Sequence, residues 1–323
     1  MNESFRTSSL HQRGLKLSHL RLMAALGERP QVSVAATLLG MTQPAASRLL
    51  ADIERIIGQA VHQREGRGLC LTSSGQALAR RAARILQELD DAGREIEELA
   101  EGSKGEVRIG AVTAPSIEHV LPAVQKAREL NPGLLIEVIV DTSDNLCKAL
   151  LAGRIDFAVG RLVGISDPTL VEMEVMEPEP VSLIVRRDHP LLKSGSMALT
   201  DLIRHDWVMP SPDSVLGRAV IRRLSSLGLP PPRQQLSTAS FLLTLAIIRD
   251  SDSIAPVAKA VADTFAQDEG TVYGVLPLEL GIEVEPYGLI RRSRSALTPA
   301  ARKIASLILE GSRATMQPQD LGR

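Results

Sequence analysis

Seven apolar residues constrain this chain more than any other feature: Leu78, Ala82, Ile85, Leu89, Ala92, Ile96 and Leu99 recur at alternating spacings of four and three. That is an a/d seam over about three heptads, roughly 32 Å of helix at 1.5 Å per residue. Nearly every position off the seam is polar or charged, so the helix carries one apolar edge that has to be covered. We read it as a self-dimerising helix; the alternative is an amphipathic helix lying on its own domain. Thr72-Ser73-Ser74-Gly75 opens it with hydroxyls suited to an N-cap, and Gly102-Ser103-Lys104-Gly105 ends it as a linker. Residues 74–104 thus form a linker helix and hinge, with a smaller unit before them and a larger one after.

Charge is divided along the same line. Residues 1–87 hold 12 Lys/Arg against 5 Asp/Glu, residues 88–104 hold 2 against 7, and the remainder holds 23 against 26. The near-neutral total of −1 therefore hides a basic first quarter, the part whose field a polyanion would feel. Aromatic residues are only 2% of the chain, too few for the stacking platforms that bind single-stranded nucleic acid. Cys70 and Cys147 have no CxxC spacing, which suits a reducing cytoplasm and argues against a redox pair. The polar stretch before Gly14 has no apolar core of a signal peptide, and no apolar run approaches the length of a membrane span. A cytoplasmic protein with no membrane partner is expected.

The most specific local pattern is Val32 to Leu49. Ala36 is small where two helices would touch, and Gly40 follows four residues later where a tight turn needs left-handed backbone. Ala35, Leu39, Met41, Ala46 and Leu49 supply the apolar contacts of a helix-turn-helix. Thr42 caps the second helix, Gln43-Pro44 occupy its first turn, and Gln43, Ser47 and Arg48 project from the end that enters a major groove. Glutamine bonds adenine bidentately, and arginine bonds guanine or phosphate. The alternative is a surface helix with ordinary polar residues. Val61 to Thr72, with Gly66 and Gly68 between apolar flanks, suits a small hairpin. Residues 1–14 read as a disordered arm and 15–73 as the folded N-terminal unit.

Beyond Gly105 strands and helices alternate. Strands are predicted at Glu106 to Val112, Leu134 to Val140 and Asp156 to Val159, with helices at Ser116 to Leu130 and Asp144 to Ala152, a βαβαβ run that implies a largely parallel sheet. A second run has strands at Val181 to Val185, Trp207-Val208, Gln235-Leu236 and Ser253 to Ala255. Its helices are Val215 to Leu227, Phe241 to Ile248 and Val257 to Phe265. Glu285 to Ile290 reads as a returning strand, and Thr298-Pro299 opens a last helix. Two α/β lobes follow, one of about 105–180 plus 285–315 and one of about 181–284.

Thr42-Gln43-Pro44-Ala45-Ala46-Ser47-Arg48, with Arg64-Glu65-Gly66-Arg67-Gly68 and Leu71-Thr72-Ser73-Ser74-Gly75, resembles the LysR-type transcriptional regulators. Ala152-Gly153-Arg154-Ile155-Asp156-Phe157-Ala158-Val159-Gly160 matches that family's first-lobe motif and His189-Pro190-Leu191 its second-lobe motif, so the resemblance runs from about Leu15 to Leu309. Gly160-Arg161-Leu162 and Trp207-Val208-Met209-Pro210 are similar to the branch containing regulators of sugar uptake and aromatic-acid catabolism. The resemblance implies an α/β protein with an N-terminal winged helix-turn-helix, a dimerising linker helix and two Rossmann-like lobes resembling a periplasmic binding protein, assembled as a dimer or a tetramer. It implies recognition-helix contacts from Gln43, Pro44, Ser47 and Arg48, beside the Thr42 cap, and wing contacts from Arg64 and Arg67. It also implies promoter DNA as partner, a small-molecule effector, and contact with RNA polymerase. One departure stands out: Val61-His62 replaces the family's Leu-Phe at the entry to the wing, which predicts a looser wing.

In doubly wound α/β lobes small ligands bind outside the carboxyl ends of strands. Those ends here carry hydroxyls, and we nominate Thr113, Ser116, Thr142, Ser211, Ser214 and Thr238 as effector contacts. The competing reading of each is a simple helix cap. Arg161, after the third strand, is expected either to hold an effector carboxylate or phosphate or to form a salt bridge. The resemblance to the branch named above implies a sugar, a sugar acid or an aromatic acid as the effector. The six histidines show no metal spacing, and no nucleophile elbow, GxGxxG or P-loop occurs, so no cofactor, metal or enzymatic activity is expected. A solute-binding protein and an α/β enzyme with a helical appendage are the other classes the lobes alone permit.

Overall fold

The computed structural model describes residues 9–65, 68–101, 105–165, 167–194, 197–266, 270–293 and 295–316. Three helices come first: α1 (Leu17–Glu28), α2 (Val32–Leu38) and α3 (Gln43–Ile57). Ala35 and Ala36 are buried where α2 meets its neighbours, and Gly40 takes φ +64° in the turn between α2 and α3, a conformation that disfavours a side chain. Strands β1 (His62–Glu65) and β2 (Gly68–Leu71) pair antiparallel as the wing. The helix α4 (Ser73–Glu101) then leaves the domain. Thr72 caps its start, its Oγ1 accepting from the Gly75 N–H at 3.1 Å.

Two expectations about this unit are corrected. Residues 10–14, read as part of an unstructured arm, form a turn held by backbone bonds such as Leu15 N–H to the Leu10 carbonyl at 3.1 Å. The wing entry is also anchored without an aromatic residue. Glu54 Oε1 accepts from the Val61 N–H at 3.0 Å and pairs with His62 Nδ1 at 2.8 Å, while Val61 itself is buried.

The seam of α4 has two fates. Leu78 and Ala82 turn inward and join the core built on Leu22, Met23, Leu26, Leu50 and Ile53. They are therefore not available to a partner, contrary to the reading of the whole seam as a dimer edge. From Ile85 onward the apolar edge is open, with Leu89, Ile96 and Leu99 exposed by 52%, 66% and 71%.

Lobe I comprises β3 (Gly105–Ala111), a short helical segment α5 (Thr113–Pro115) and a wider turn Ser116–Val120, then α6 (Leu121–Leu130), β4 (Leu134–Val140), α7 (Ser143–Leu151), β5 (Phe157–Gly160) and β6 (Val171–Val175). Lobe II follows with β7 (Glu179–Arg186), the short α8 (Pro190–Lys193) and α9 (Leu199–Leu202), β8 (Asp206–Met209), α10 (Val215–Ser226) and β9 (Arg233–Ser237). It continues through α11 (Phe241–Arg249), β10 (Ala255–Ala258), α12 (Lys259–Ala266), β11 (Tyr273–Val275) and β12 (Glu283–Val284). The chain then returns to lobe I with β13 (Gly288–Arg292) and α13 (Pro299–Met316).

The lobe I sheet has the order β4-β3-β5-β13-β6. β3 is parallel to β4 and β5, while β13 runs antiparallel to β5 and β6. Separate apolar clusters cover its two faces, one including Phe157, Tyr287 and Ile304, the other Leu146, Leu150 and Ile155. In lobe II, β7 is paired antiparallel by β10 and β11, and β8 lies parallel to β9. The sheets are thus less parallel than the alternation implies, because each crossing between lobes returns a strand in reverse. Val257 and Ala258, assigned to a helix from sequence, belong to β10, where pairing with Ser182 and Val181 buries them. The returning strand begins at Gly288, three residues later than read, because the chain from Glu283 first pairs with β7.

Candidate DNA-reading surface and sensor cleft

α3 is amphipathic. Ala46, Leu50, Ile53 and Ile56 face the core. On its other side Thr42, Gln43, Pro44, Ser47 and Arg48 are all exposed. Thr42 caps the helix, its side chain accepting from the Ala45 N–H at 3.4 Å, and the proline in the first turn removes an N–H that would lack a partner there. Among the described residues Arg48 has no hydrogen bond or ion pair, so its guanidinium is available to an incoming acceptor. Arg64 lies on β1 beside this helix-turn-helix; Arg67 falls outside the described residues.

The strand ends of the sensor look different. Ser214 Oγ accepts from the Gly217 N–H at 3.0 Å and donates to the Ser211 carbonyl at 2.6 Å. Thr238 Oγ1 accepts from the Ser240 N–H, and Ser116 Oγ donates to the Thr113 carbonyl. Thr142 Oγ1 donates to Asp144 Oδ1 at 2.6 Å, a bond that, with Lys148, holds the Asp144 carboxyl below its ordinary range. Four of the six nominated hydroxyls therefore serve their own turns. The Thr113 and Ser211 hydroxyls make no hydrogen bond among the described residues and are half-buried. Thr113 opens the segment whose Ala114 and Ile117 pack against Ile184, Val208 and Leu245 of lobe II, so it stands where the lobes meet.

Arg161 is a closed ion pair. Its Nη2 donates to Glu179 Oε2 at 2.6 Å and its Nε to the Glu285 carbonyl at 2.7 Å, and the guanidinium lies 5.7 Å from the centre of the Tyr287 ring. Arg161 is 8% exposed. Of the two roles read from sequence, the structure favours the salt bridge, and it places that bridge across both chain crossings between the lobes. Cys147 Sγ points at the Arg161 carbonyl, 3.5 Å away, and burial pushes its thiol pKa up, leaving it inert rather than redox-active.

Sequence reasoning missed the cluster beside it. His119 Nε2 lies 2.7 Å from both Tyr287 OH and Glu177 Oε1, and the phenol donates to Glu177 at 2.9 Å and to Glu118 at 3.4 Å. Burial, then the charge of Glu177, raises the Glu118 pKa against the opposing pull of His119. Burial and the same two carboxylates raise that of Tyr287 and keep the phenol neutral. Glu118, His119 and Glu177 have the donor types of a metal site; the short contact of His119 with Glu177 and the Tyr287 phenol set between the two carboxylates already account for the arrangement. No local pattern announces the cluster, since Glu177 and Tyr287 lie 58 and 168 residues beyond His119. Only the topology joins them.

A basic helix-turn-helix with an outward-facing helix, tied by a long helix to two lobes that meet at a polar seam, defines a ligand-responsive DNA-binding regulator. Residues 17–76 match the bacterial regulatory helix-turn-helix protein, lysR family, and residues 100–313 match the LysR substrate binding domain. The chain is 42% identical over 252 residues to the HTH-type transcriptional regulator GbpR of Rhizobium radiobacter, covering 77% of this chain and 83% of that protein. It is 34% identical over 304 residues to GbpR of Azospirillum brasilense, covering 94% and 88%. Full-length CbnR in complex with its target DNA shares the fold, with TM-score 0.60, 20% identity and coverage of 92% and 100%. The chain belongs to the LysR family of DNA-binding transcriptional regulators and carries that family's effector-binding domain. Its members are regulators, not enzymes, that bind promoter DNA and a small-molecule effector and oligomerise. No helix among the described residues is long and apolar enough to cross a membrane.

Proposed function

We propose that this regulator reads its promoter with Gln43, Pro44, Ser47 and Arg48 in the major groove, oriented by the Thr42 cap, while Arg64 and Arg67 of the wing follow the adjacent backbone or minor groove. The observation that carries this reading is the exposed, unpaired Arg48 on the outer face of α3. In a titration of duplex promoter DNA at fixed ionic strength, Arg48→Ala is expected to weaken binding by about 10- to 100-fold, the range for losing one bidentate base contact. Unchanged affinity would remove α3 from the groove.

Two copies pair through the open part of the α4 seam, Ile85, Leu89, Ala92, Ile96 and Leu99, and two such dimers form a tetramer on DNA in the cytoplasm. Effector binding between the lobes changes their angle, and with it promoter bending and the contact offered to RNA polymerase. Thr113 and Ser211, whose hydroxyls are uncommitted, are the leading effector contacts; Ser116, Thr142, Ser214 and Thr238 frame them.

Of the three effector classes compatible with such a cleft, a neutral sugar is favoured. Arg161, the cation that would meet an acid, is already neutralised by Glu179, while Asp141 and Asp213 lie in the surrounding turns and Asp144 in the first turn of α7. A thermal-shift series with neutral sugars, sugar acids and aromatic acids separates the classes, since a ligand selective for the native state raises its midpoint. A midpoint raised only by acids would reverse this choice.

A further inference from the structure

Asp91 and Arg94 project from α4 away from its apolar seam, and both are buried or nearly so despite their charge. Asp91 Oδ2 accepts from Arg292 Nη2 at 2.9 Å, and its Oδ1 accepts from Arg94 Nη2 and from Gln87 Nε2. Arg94 also grips Asp156 with two bonds, Nη2 to Oδ1 at 2.6 Å and Nη1 to Oδ2 at 3.2 Å. Arg292 Nη1 finishes the set by donating to the Leu150 and Ile155 carbonyls. Two carboxylates and two guanidinium groups thus balance between the linker helix and lobe I.

The contact extends in both directions along α4. Glu98 Oε2 accepts from the Ala300 N–H at 3.1 Å. Gln87 lies over Gly153, which has φ +69° and where a Cβ would fall 1.8 Å from Gln87 Oε1. This interface is polar along its length and leaves Arg94 Nε and Glu98 Oε1 buried without a partner. An apolar face would hold the helix as firmly with less angular definition; bidentate arginine–carboxylate pairs fix a direction.

Asp156 immediately precedes β5, and Arg161 immediately follows it. The four residues between are buried; all four pair with β13 and three of them, Phe157 to Val159, also with β3, so the strand is a stiff rod about 16 Å from one charged end to the other. One end holds the linker helix; the other holds Glu179 and the Glu285 carbonyl at the interlobe crossings. We propose that Asp91, Arg94, Asp156 and Arg292 are positioning residues that set the direction in which the linker helix leaves lobe I, and that β5 couples this direction to the interlobe crossings.

Hydrogen–deuterium exchange on the full-length protein at one fixed concentration tests this without DNA or effector, so its outcome is separate from that of the promoter and ligand experiments. Asp156→Asn and Arg94→Gln are each expected to speed exchange of peptides within 84–98 by about tenfold or more, with β3 and β13 still protected. Glu179→Gln, which touches no residue of α4, is expected to speed the same peptides. No change in α4 with either of the first two substitutions overturns the positioning role. A response to Glu179→Gln confined to peptides around Arg161 overturns the coupling through β5. A uniform rise in every peptide, lobe II included, reports general destabilisation and overturns both. Should Asp156→Asn fail to fold, Arg94→Gln decides the first point alone, because Arg94 is the less buried of the two, its side chain 13% exposed against 5%.

Discussion

In the reading head, Gln43, Ser47 and Arg48 in the first turns of α3 are exposed and make no side-chain hydrogen bond among the described residues. In the sensor, most polar side chains at the strand ends are already bonded to their own turns, and the one nominated cation is buried against a carboxylate. The two environments impose these states. An arginine on an exposed helix keeps its hydration shell and waits for phosphate or a base edge at little cost. At the junction of two lobes water is largely excluded, and an unpaired guanidinium there would suffer several kcal/mol of desolvation. The outer face of α3 stays open, whereas at the strand ends of the lobes only the Thr113 and Ser211 hydroxyls, of the six nominated, make no hydrogen bond among the described residues.

The sharpest way to break this contrast is Arg161→Ala. It strands Glu179 in a site only 12% exposed, so chemical denaturation is expected to show a loss of about 3–5 kcal/mol, against at most about 0.5 kcal/mol for Arg48→Ala. Equal, small losses would mean that Arg161 is a surface residue in solution and free to meet a ligand. Next in size is a comparison within one helix. Leu78→Ala, in the core of the head, is expected to cost about 2–5 kcal/mol of stability. Leu99→Ala, on the open part of the same seam, should leave stability nearly untouched and raise the dimer dissociation constant by about tenfold in sedimentation measurements, the loss of a few buried methyl-sized groups. Sedimentation unchanged by Leu99→Ala would assign the open seam to something other than self-association.

The smallest effect sharpens the sensor side. Glu118 holds its proton more tightly in the folded chain than in the unfolded one, so its ionisation weakens the fold. The penalty is absent below the ordinary glutamate range, grows as pH rises through the raised folded value, and is complete above it. Glu118→Gln keeps the side chain's hydrogen-bonding capacity and is expected to raise the melting midpoint slightly at pH 8 and not at pH 4. An identical gain at both pH values would trace the effect to packing instead.

Local chemistry was legible in the residues themselves: the capped α3 with its early proline, the seam of α4, and most strands of both lobes all follow from short-range spacing. The short strand β6 has a local signal too, in the alternation Val171-Glu172-Met173-Glu174-Val175. What could not be read depends on return crossings of the chain. Arg161 meets Glu179 only because β7 begins where β5 ends, and His119 meets Tyr287 across 168 residues. The wing anchor shows the same limit. A missing aromatic residue is visible in the sequence, whereas its replacement by Glu54, eight residues before His62, is visible only once the helix is built.

The burial of Leu78 and Ala82 within the helix-turn-helix core makes α4 an integral part of the head rather than a tether to it. From Asp91 and Arg94, where α4 meets lobe I, back to Ser73 is about 30 Å of helix, so a tilt of about 10° there would sweep the far end through about 5 Å. That is more than one base-pair step of duplex at about 3.4 Å, enough for a small rearrangement at one end of this lever arm to change which bases the other end can reach.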